Sequence, residues 1–413
     1  MSDDQRSNIA VESAGAHAPS PGWKRVLNGP VLTLAAISFV SSLGIAVMLP
    51  LIPLFAVSLG ASPLQLGLLT SAFALANSAS QLGAGLVLDR YGALGFIRGG
   101  IATYAGANFL IAAASSAAGL IAYRTLAGLG GGVNIIATRL YVSQVAVPQH
   151  LALVNGVLSA AFSAGQVAGP ALGGIVAAFS NLRTPFLLVG VTSALAFVGS
   201  LLLPRPKAVA STFVQAGAGD RTPLLGRPVL TLLAAQFFVL ASYGGFITTY
   251  APYVTQVLGW STLEVGIVFS FFGAGSIALG PWLSHVADRR GRRVVGAMAC
   301  LPVALVGVLL AAAASRPIIY AVMMLAGGGI TTFTAAWFAL LTEVSPEARR
   351  GRIFGLVSAG SNLGTVAGAM VASGIWQRAS LGGAVLSASG AVILGGLALL
   401  ALPRERRETS HRL

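Results

Sequence analysis

Charged residues are scarce in this chain: Asp, Glu, Lys and Arg make up 9% of its 413 residues, against about 25% in soluble domains. Hydrophobic residues make up 55%, and the mean hydropathy is +0.83. A large soluble helical protein needs polar faces that these apolar runs lack, so that class is excluded. Cysteine occurs once, at Cys300 inside an apolar run, which excludes a disulfide and a thiol metal site. The four histidines, His17, His150, His285 and His411, sit in tails or near loop edges. None has metal-ligand spacing to another, so no metal site is expected. The apolar runs hold no paired Asp, Ser/His or metal cluster, so the chain does not read as an enzyme and calls for no cofactor. A net charge of +14 would suggest nucleic acid as the partner of a soluble protein. Here its distribution points to membrane topology instead, with no nucleic-acid partner.

Twelve apolar runs follow one another, at approximately 31–54, 63–86, 97–117, 119–142, 151–178, 184–204, 228–256, 262–285, 294–314, 317–342, 352–376 and 382–402. Each is long enough to cross a bilayer as a helix. With the N-terminus in the cytoplasm, Lys24, Arg25, Arg90, Arg98, Arg205, Lys207, Arg221 and Arg227 fall inside. So do the basic clusters at 289–293, 349–352 and 404–407, while the opposite face receives only Arg183, Arg316 and Arg378. One orientation satisfies the positive-inside rule and the other violates it. Both termini are therefore expected in the cytoplasm. Residues 1–27 are polar, with no apolar segment of a signal peptide, and read as a disordered cytoplasmic tail. The organisation that follows is a six-helix half over 28–204, a cytoplasmic linker over 205–227, a second half over 228–403 and a basic tail over 404–413.

The two halves are related in sequence. Shifting residues 60–92 by 199 positions lands on 259–291 with 11 identities in 33 and no gap. Gly60, Ser62, Gly67, Ser71, Asp89, Arg90 and Gly92 meet Gly259, Ser261, Gly266, Ser270, Asp288, Arg289 and Gly291. The same shift carries Gly165 and Gly169 onto Gly364 and Gly368. Parallel halves of this kind place a substrate near the midplane between them.

Three motifs carry a resemblance. The fifth run contains Gly165-Gln-Val-Ala-Gly169-Pro170-Ala-Leu-Gly173-Gly174. Its small residues make a smooth face that lets a neighbouring backbone approach, and Pro170 makes a kink or hinge. The loop after the second run reads Gly85-Leu-Val-Leu-Asp89-Arg90-Tyr91-Gly92, repeated after the eighth as Ser284-His-Val-Ala-Asp288-Arg289-Arg290-Gly291-Arg292-Arg293. The fourth run holds Tyr123-Arg124-Thr-Leu-Ala-Gly128-Leu-Gly130. Together with Leu49-Pro50-Leu-Ile-Pro53 in the first run, these resemble the signatures of major facilitator superfamily transporters, particularly the twelve-helix drug:proton antiporters. The resemblance covers nearly the whole chain. The first loop motif lacks the family's final basic pair, and the second has Ser284 in place of the leading glycine.

The resemblance implies an all-α integral membrane protein of twelve transmembrane helices in two pseudo-symmetric halves. It also implies a monomer in a bacterial inner membrane that exports small, partly hydrophobic molecules in exchange for protons. Asp89, Arg90 and Gly92, and more loosely Asp288, Arg289, Gly291 and Arg292, would then latch one state, with Arg139 as the partner of Asp89. The glycine face of the fifth helix would accommodate the rocking of the halves. Helices 1, 4, 7 and 10 would line the cavity, supplying Arg124, Asn134, Gln236, Tyr243 and Trp337 along with Ser41, Ser42 and Thr331, Thr332 and Thr334. Arg124 stands roughly 7–8 Å inside the outer boundary at the helical rise per residue, and a fixed charge there marks function.

One part is missing. Relatives of this type place a carboxylate in the cavity, and every acidic residue here lies in a tail, a loop or a helix end. Asp89, Glu264 and Glu343 remain as candidates for proton coupling. Glu264 also reads as a helix cap and Glu343 as a partner of Arg349 or Arg350. The alternative is an uncoupled or symport permease for a small metabolite such as a sugar or organic acid. The lack of a cavity acid, together with Arg124, favours neutral or anionic cargo over lipophilic cations.

Overall fold

The computed structural model describes residues 29–145, 151–205, 226–346 and 349–402, with the side chains of Asp89, Arg90 and Arg139 outside that description. The expected tails and nearly all of the linker lie outside the described residues. The first half contains α1 (Gly29–Ser58), α2 (Pro63–Tyr91), α3 (Ala93–Ala112), α4 (Ala117–Val145), α5 (Leu151–Phe179) and α6 (Thr184–Leu201). The second contains α7 (Arg227–Gln256), α8 (Thr262–Ala278), α9 (Gly280–Arg290), α10 (Arg292–Met298), α11 (Cys300–Ala311), α12 (Arg316–Val344), α13 (Arg350–Arg378) and α14 (Leu381–Leu400).

Each apolar run read from the sequence is helical. Among the described residues, nine helices are long and apolar enough to cross a membrane, with α10 and α11 counted as one. Joined across a 48° bend, α8 and α9 form a tenth span. The bend falls where Pro281, as a first-turn residue of α9, cannot donate to the preceding turn. Helices α2 and α3, 29 and 20 residues long, pack into the same bundle.

The repeat recurs in the backbone. Gly60 and Gly259 both take positive φ, +76° and +67°, a left-handed turn that L side chains resist. Two residues later Ser62 and Ser261 cap α2 and α8, and each side chain accepts from the backbone N–H three residues on, at 3.3 Å. The third helical residue, Gln65 or Glu264, reaches back to the cap amide at 2.8 Å, closing a capping box at equivalent places. At the other end of each segment, Gly92 and Gly291 again have positive φ.

Helix crossings also obey the shift. A Cβ on Gly128 would lie 2.7 Å from the Phe73 carbonyl oxygen, and one on Gly327 would collide with the Phe272 carbonyl. Gly130 meets the Gly100 carbonyl as Gly329 meets that of Ala299. Glycine is required at such points because backbones touch there.

The halves are packed together at one end and parted at the other. Near Gly60 and Gly259 a single buried cluster runs through both, joining Leu51, Phe55 and Leu66 to Tyr250, Val254 and Val265. Toward Gly92 and Gly291 the core divides. One part holds Leu34, Leu88, Ile97 and Tyr141, and the other Leu232, Phe333, Trp337 and Leu399.

Candidate functional site

Most contacts between the halves come from two related helix pairs, α5 with α8 and α2 with α13, and α1 and α2 also meet α7. Ser270 on α8 donates its hydroxyl to the Val167 carbonyl at 2.9 Å and accepts from the Ala171 amide at 3.2 Å. It therefore sits across an i, i+4 pair of α5 in the turn that contains Pro170, next to the Gln166 carbonyl that the proline leaves without an N–H donor. The equivalent Ser71 on α2 makes one bond, to the Val366 carbonyl on α13 at 3.3 Å. Between them Thr248 donates to Thr70 at 2.9 Å.

The helix-5 motif divides its work in a way that differs from expectation. Gly165, Gly169 and Gly173 face α1 of the same half, where added Cβ atoms would strike the backbone of residues 39–47. Only Gly174 faces the other half, 2.8 Å from the Thr262 carbonyl, while Pro170 turns its carbonyl toward Gly266. Three of the motif's glycines thus pack within the first half, while Gly174 and Pro170 meet the second.

Above this closed end lies a cavity of about 250 Å³ between the halves. Arg124 lines it and is 6% exposed. Its guanidinium carbon stands 4.0 Å from the centroid of the Phe73 ring, and its Nε is buried without a hydrogen-bond partner. Stacking on an aromatic face offsets part of the cost of burying the cation. Asn77 and Gln81 face the same space, linked to each other at 2.7 Å, as do Asn362 and Thr365 on α13. Sequence reasoning missed these four, because it drew the cavity from helices 1, 4, 7 and 10 with the rings at the start of helix 8, and not from helices 2 and 11. Amides in mid-span, costly against lipid, were the available signal.

Tyr243 on α7 borders this cavity and also a second one of about 150 Å³ within the second half. That one is walled by Phe246, Phe269, Phe272 and Met323, with Gln236 and Thr334 at its margin. Phe246, Tyr250 and Phe269 stack and tilt on one another at centroid separations of 4.8–5.9 Å. Ser41 and Asn134 border a third cavity of about 380 Å³ inside the first half.

Other expected lining residues are engaged elsewhere. Trp337 is buried in the second-half core and donates its indole N–H to the Leu232 carbonyl at 2.8 Å. Ser42 is buried and ties α1 to the Phe162 carbonyl of α5 at 2.7 Å. Thr331 and Thr332 bond carbonyls of their own helix.

The candidate proton carriers with described side chains are committed to other partners. Glu264 accepts from the Ser261 amide at 2.8 Å and from Arg316 at 2.8 Å. At the parted end Arg292 bonds Asp288 at 2.6 Å and also Glu343. Glu343 is therefore held by Arg292, where the sequence suggested Arg349 or Arg350. This cluster joins elements of one half only. Among the described residues, no carboxylate lines any of the three cavities. We expect Glu264→Gln to keep the capping box and to change transport by less than twofold. A loss of transport in that variant would assign the carboxylate a role beyond capping.

Two related helical halves, closed at one end around a central polar and aromatic cavity, define a membrane transporter. The family model of the Major Facilitator Superfamily matches residues 34–250 and 232–412, and the chain belongs to that superfamily. The quinolone resistance protein NorA of Staphylococcus aureus is 26% identical over 255 residues, which span 60% of this chain and 65% of NorA. The match thus reaches just under two thirds of that relative's own length. Among solved structures, a variant of the nucleoside transporter NupG superposes with a TM-score of 0.79 at 12% identity, covering 91% of this chain and 100% of that one. A bacterial homologue of the human lysosomal transporter Spinster, described as inward-facing and unoccupied, gives 0.71 at 17% identity over 90% and 93% of the two chains.

Proposed function

We propose that this protein exports small, partly hydrophobic organic molecules across a bacterial plasma membrane by alternating access, with protons moving the other way. The observation that carries the reading is the cavity shared by two halves that meet at one end only. Its rings, amides and single cation suit a bulky molecule held more by contact area than by directed bonds. The likeness to NorA supports export of drug-like compounds, and the excess of Arg and Lys near the parted end supports placing that end in the cytoplasm. Exposed Leu195, Val198, Met298 and Leu397 support a lipid-facing surface. A single chain contains both halves of the cavity, which supports a monomer as the working unit.

In this reading Asp89, Arg90 and Arg139 close the cytoplasmic end when the opposite end opens. The lack of a carboxylate on the cavity wall favours a second reading, an uncoupled or symport permease for a small metabolite. Dye efflux from an efflux-deficient bacterium separates the two. We expect a protonophore to abolish efflux and Asp89→Asn to lower it at least tenfold. Efflux indifferent to the protonophore would favour the uncoupled permease.

A further inference from the structure

Arg124 is the one charged group, among the described residues, on the wall of either the central cavity or the aromatic cavity beside it. It is 94% buried, since 6% of it is exposed. Phe73 covers one face of the guanidinium at 4.0 Å, while Nε has no acceptor. A buried cation held by stacking alone lacks its counter-ion. The planar fork of a guanidinium matches a carboxylate, which can accept two parallel N–H bonds. Tyr243 borders both the central cavity and the neighbouring one walled by Phe246, Phe269 and Phe272. One wall is cationic and polar, and the other is aromatic and apolar.

We infer that the cargo is an organic carboxylate with a hydrocarbon or aromatic body, its anion on Arg124 and its body against the α7–α8 rings. This rests on the reading of the central cavity as the transport site, and it narrows the substrate class of that site. It also accounts for the absent cavity acid. The anion that neutralises Arg124 arrives with the substrate, so a fixed carboxylate on the wall would compete with the cargo. A neutral molecule of equal shape leaves the cation uncompensated, and a cationic one adds like-charge repulsion.

The test uses the purified full-length chain in detergent and a shape-matched series: 4-phenylbutyrate, 4-phenylbutyramide and 4-phenylbutylamine. Binding is followed by calorimetry and by ligand-induced thermal stabilisation. We expect the carboxylate to bind at least tenfold more tightly than the amide, about 1.4 kcal/mol, and the amine to bind more weakly than either. Arg124→Gln should erase the preference for the carboxylate while leaving amide affinity in place, which also reports that the variant is folded. Arg124→Lys keeps the charge but not the planar fork. It should retain a reduced preference, and it serves as the readout if the Gln variant does not fold.

Equal binding of the three compounds by the wild-type chain would overturn the inference. So would the absence of carboxylate binding, or a carboxylate preference that survives Arg124→Gln. Cellular dye efflux is scored separately. Efflux without a carboxylate preference removes this inference alone. A carboxylate preference without efflux removes the export reading and leaves the binding assignment standing.

Discussion

Gly368→Val is expected to abolish the folded protein. Where α7 crosses α13, a Cβ on Gly368 would collide with the Ala241 carbonyl oxygen and come within 2.6 Å of the Ala241 Cα. The same crossing brings Gly364 against Phe237 and Gly244 against Thr365, so the two backbones are interlocked along a line. Overpacking a core with a side chain that can move aside costs about 1–3 kcal/mol. Here the obstacle is main chain at successive points, and relief requires one whole helix to shift. We expect no monodisperse protein from the valine variant and a Tm lowered by about 10 °C or more for Gly368→Ala. Gly374 and Gly355, on the same helix, have nothing within 4 Å of an added Cβ. Their alanine variants should be neutral or slightly more stable, since alanine restricts the unfolded chain. Comparable thermal stability for Gly368→Val and Gly374→Ala would contradict the crossing described here.

Gly266→Leu should produce a folded protein held in the other conformation. Gly266 lies on α8 against α5 of the opposite half, where its Cβ would meet the Pro170 carbonyl and lie 3.2 Å from the Gly174 Cα. This contact exists only while the halves are closed at the Gly60–Gly259 end, so the penalty falls on one state. A bias of about 1.4 kcal/mol shifts a two-state equilibrium tenfold, within the usual range for overpacking. The single cysteine is buried, and Cys300→Ser gives a background without thiols. On it, Ala74→Cys reports access to the central cavity that Ala74 lines. We expect Gly266→Leu to raise labelling from the Gly60–Gly259 side at least tenfold and to reduce transport to under a tenth. Unchanged labelling alongside lost transport would mean that the leucine damages the fold instead of selecting a state.

The helices and the repeat were legible because apolar length and glycine placement are local properties. The 199-residue shift that aligned Gly60 with Gly259 also paired Ser62 with Ser261, which the structure shows capping α2 and α8. Which residues face the cavity was far less legible. In a membrane helix the lipid side and the packed side are both apolar, so the rotation of each helix leaves little trace in its sequence. Trp337 could be read as a cavity ring and proved to be buried on the Leu232 carbonyl. Asn362 and Thr365 on α13 went unread, although the mid-span amide of Asn362 was a local signal. Arg124 was identifiable as an intramembrane charge. Its stacking on Phe73 depends on how α2 and α4 are rotated against each other, which only packing decides. The role of Ser270 depends on α5 residues about 100 positions earlier in the chain, and on a contact across the two halves.

That serine gives the closed end a handedness. On one side a hydroxyl is threaded into the backbone ladder of the facing helix by two bonds, and on the other Ser71 touches a carbonyl once. A seam stitched twice along one edge and once along the other does not part evenly.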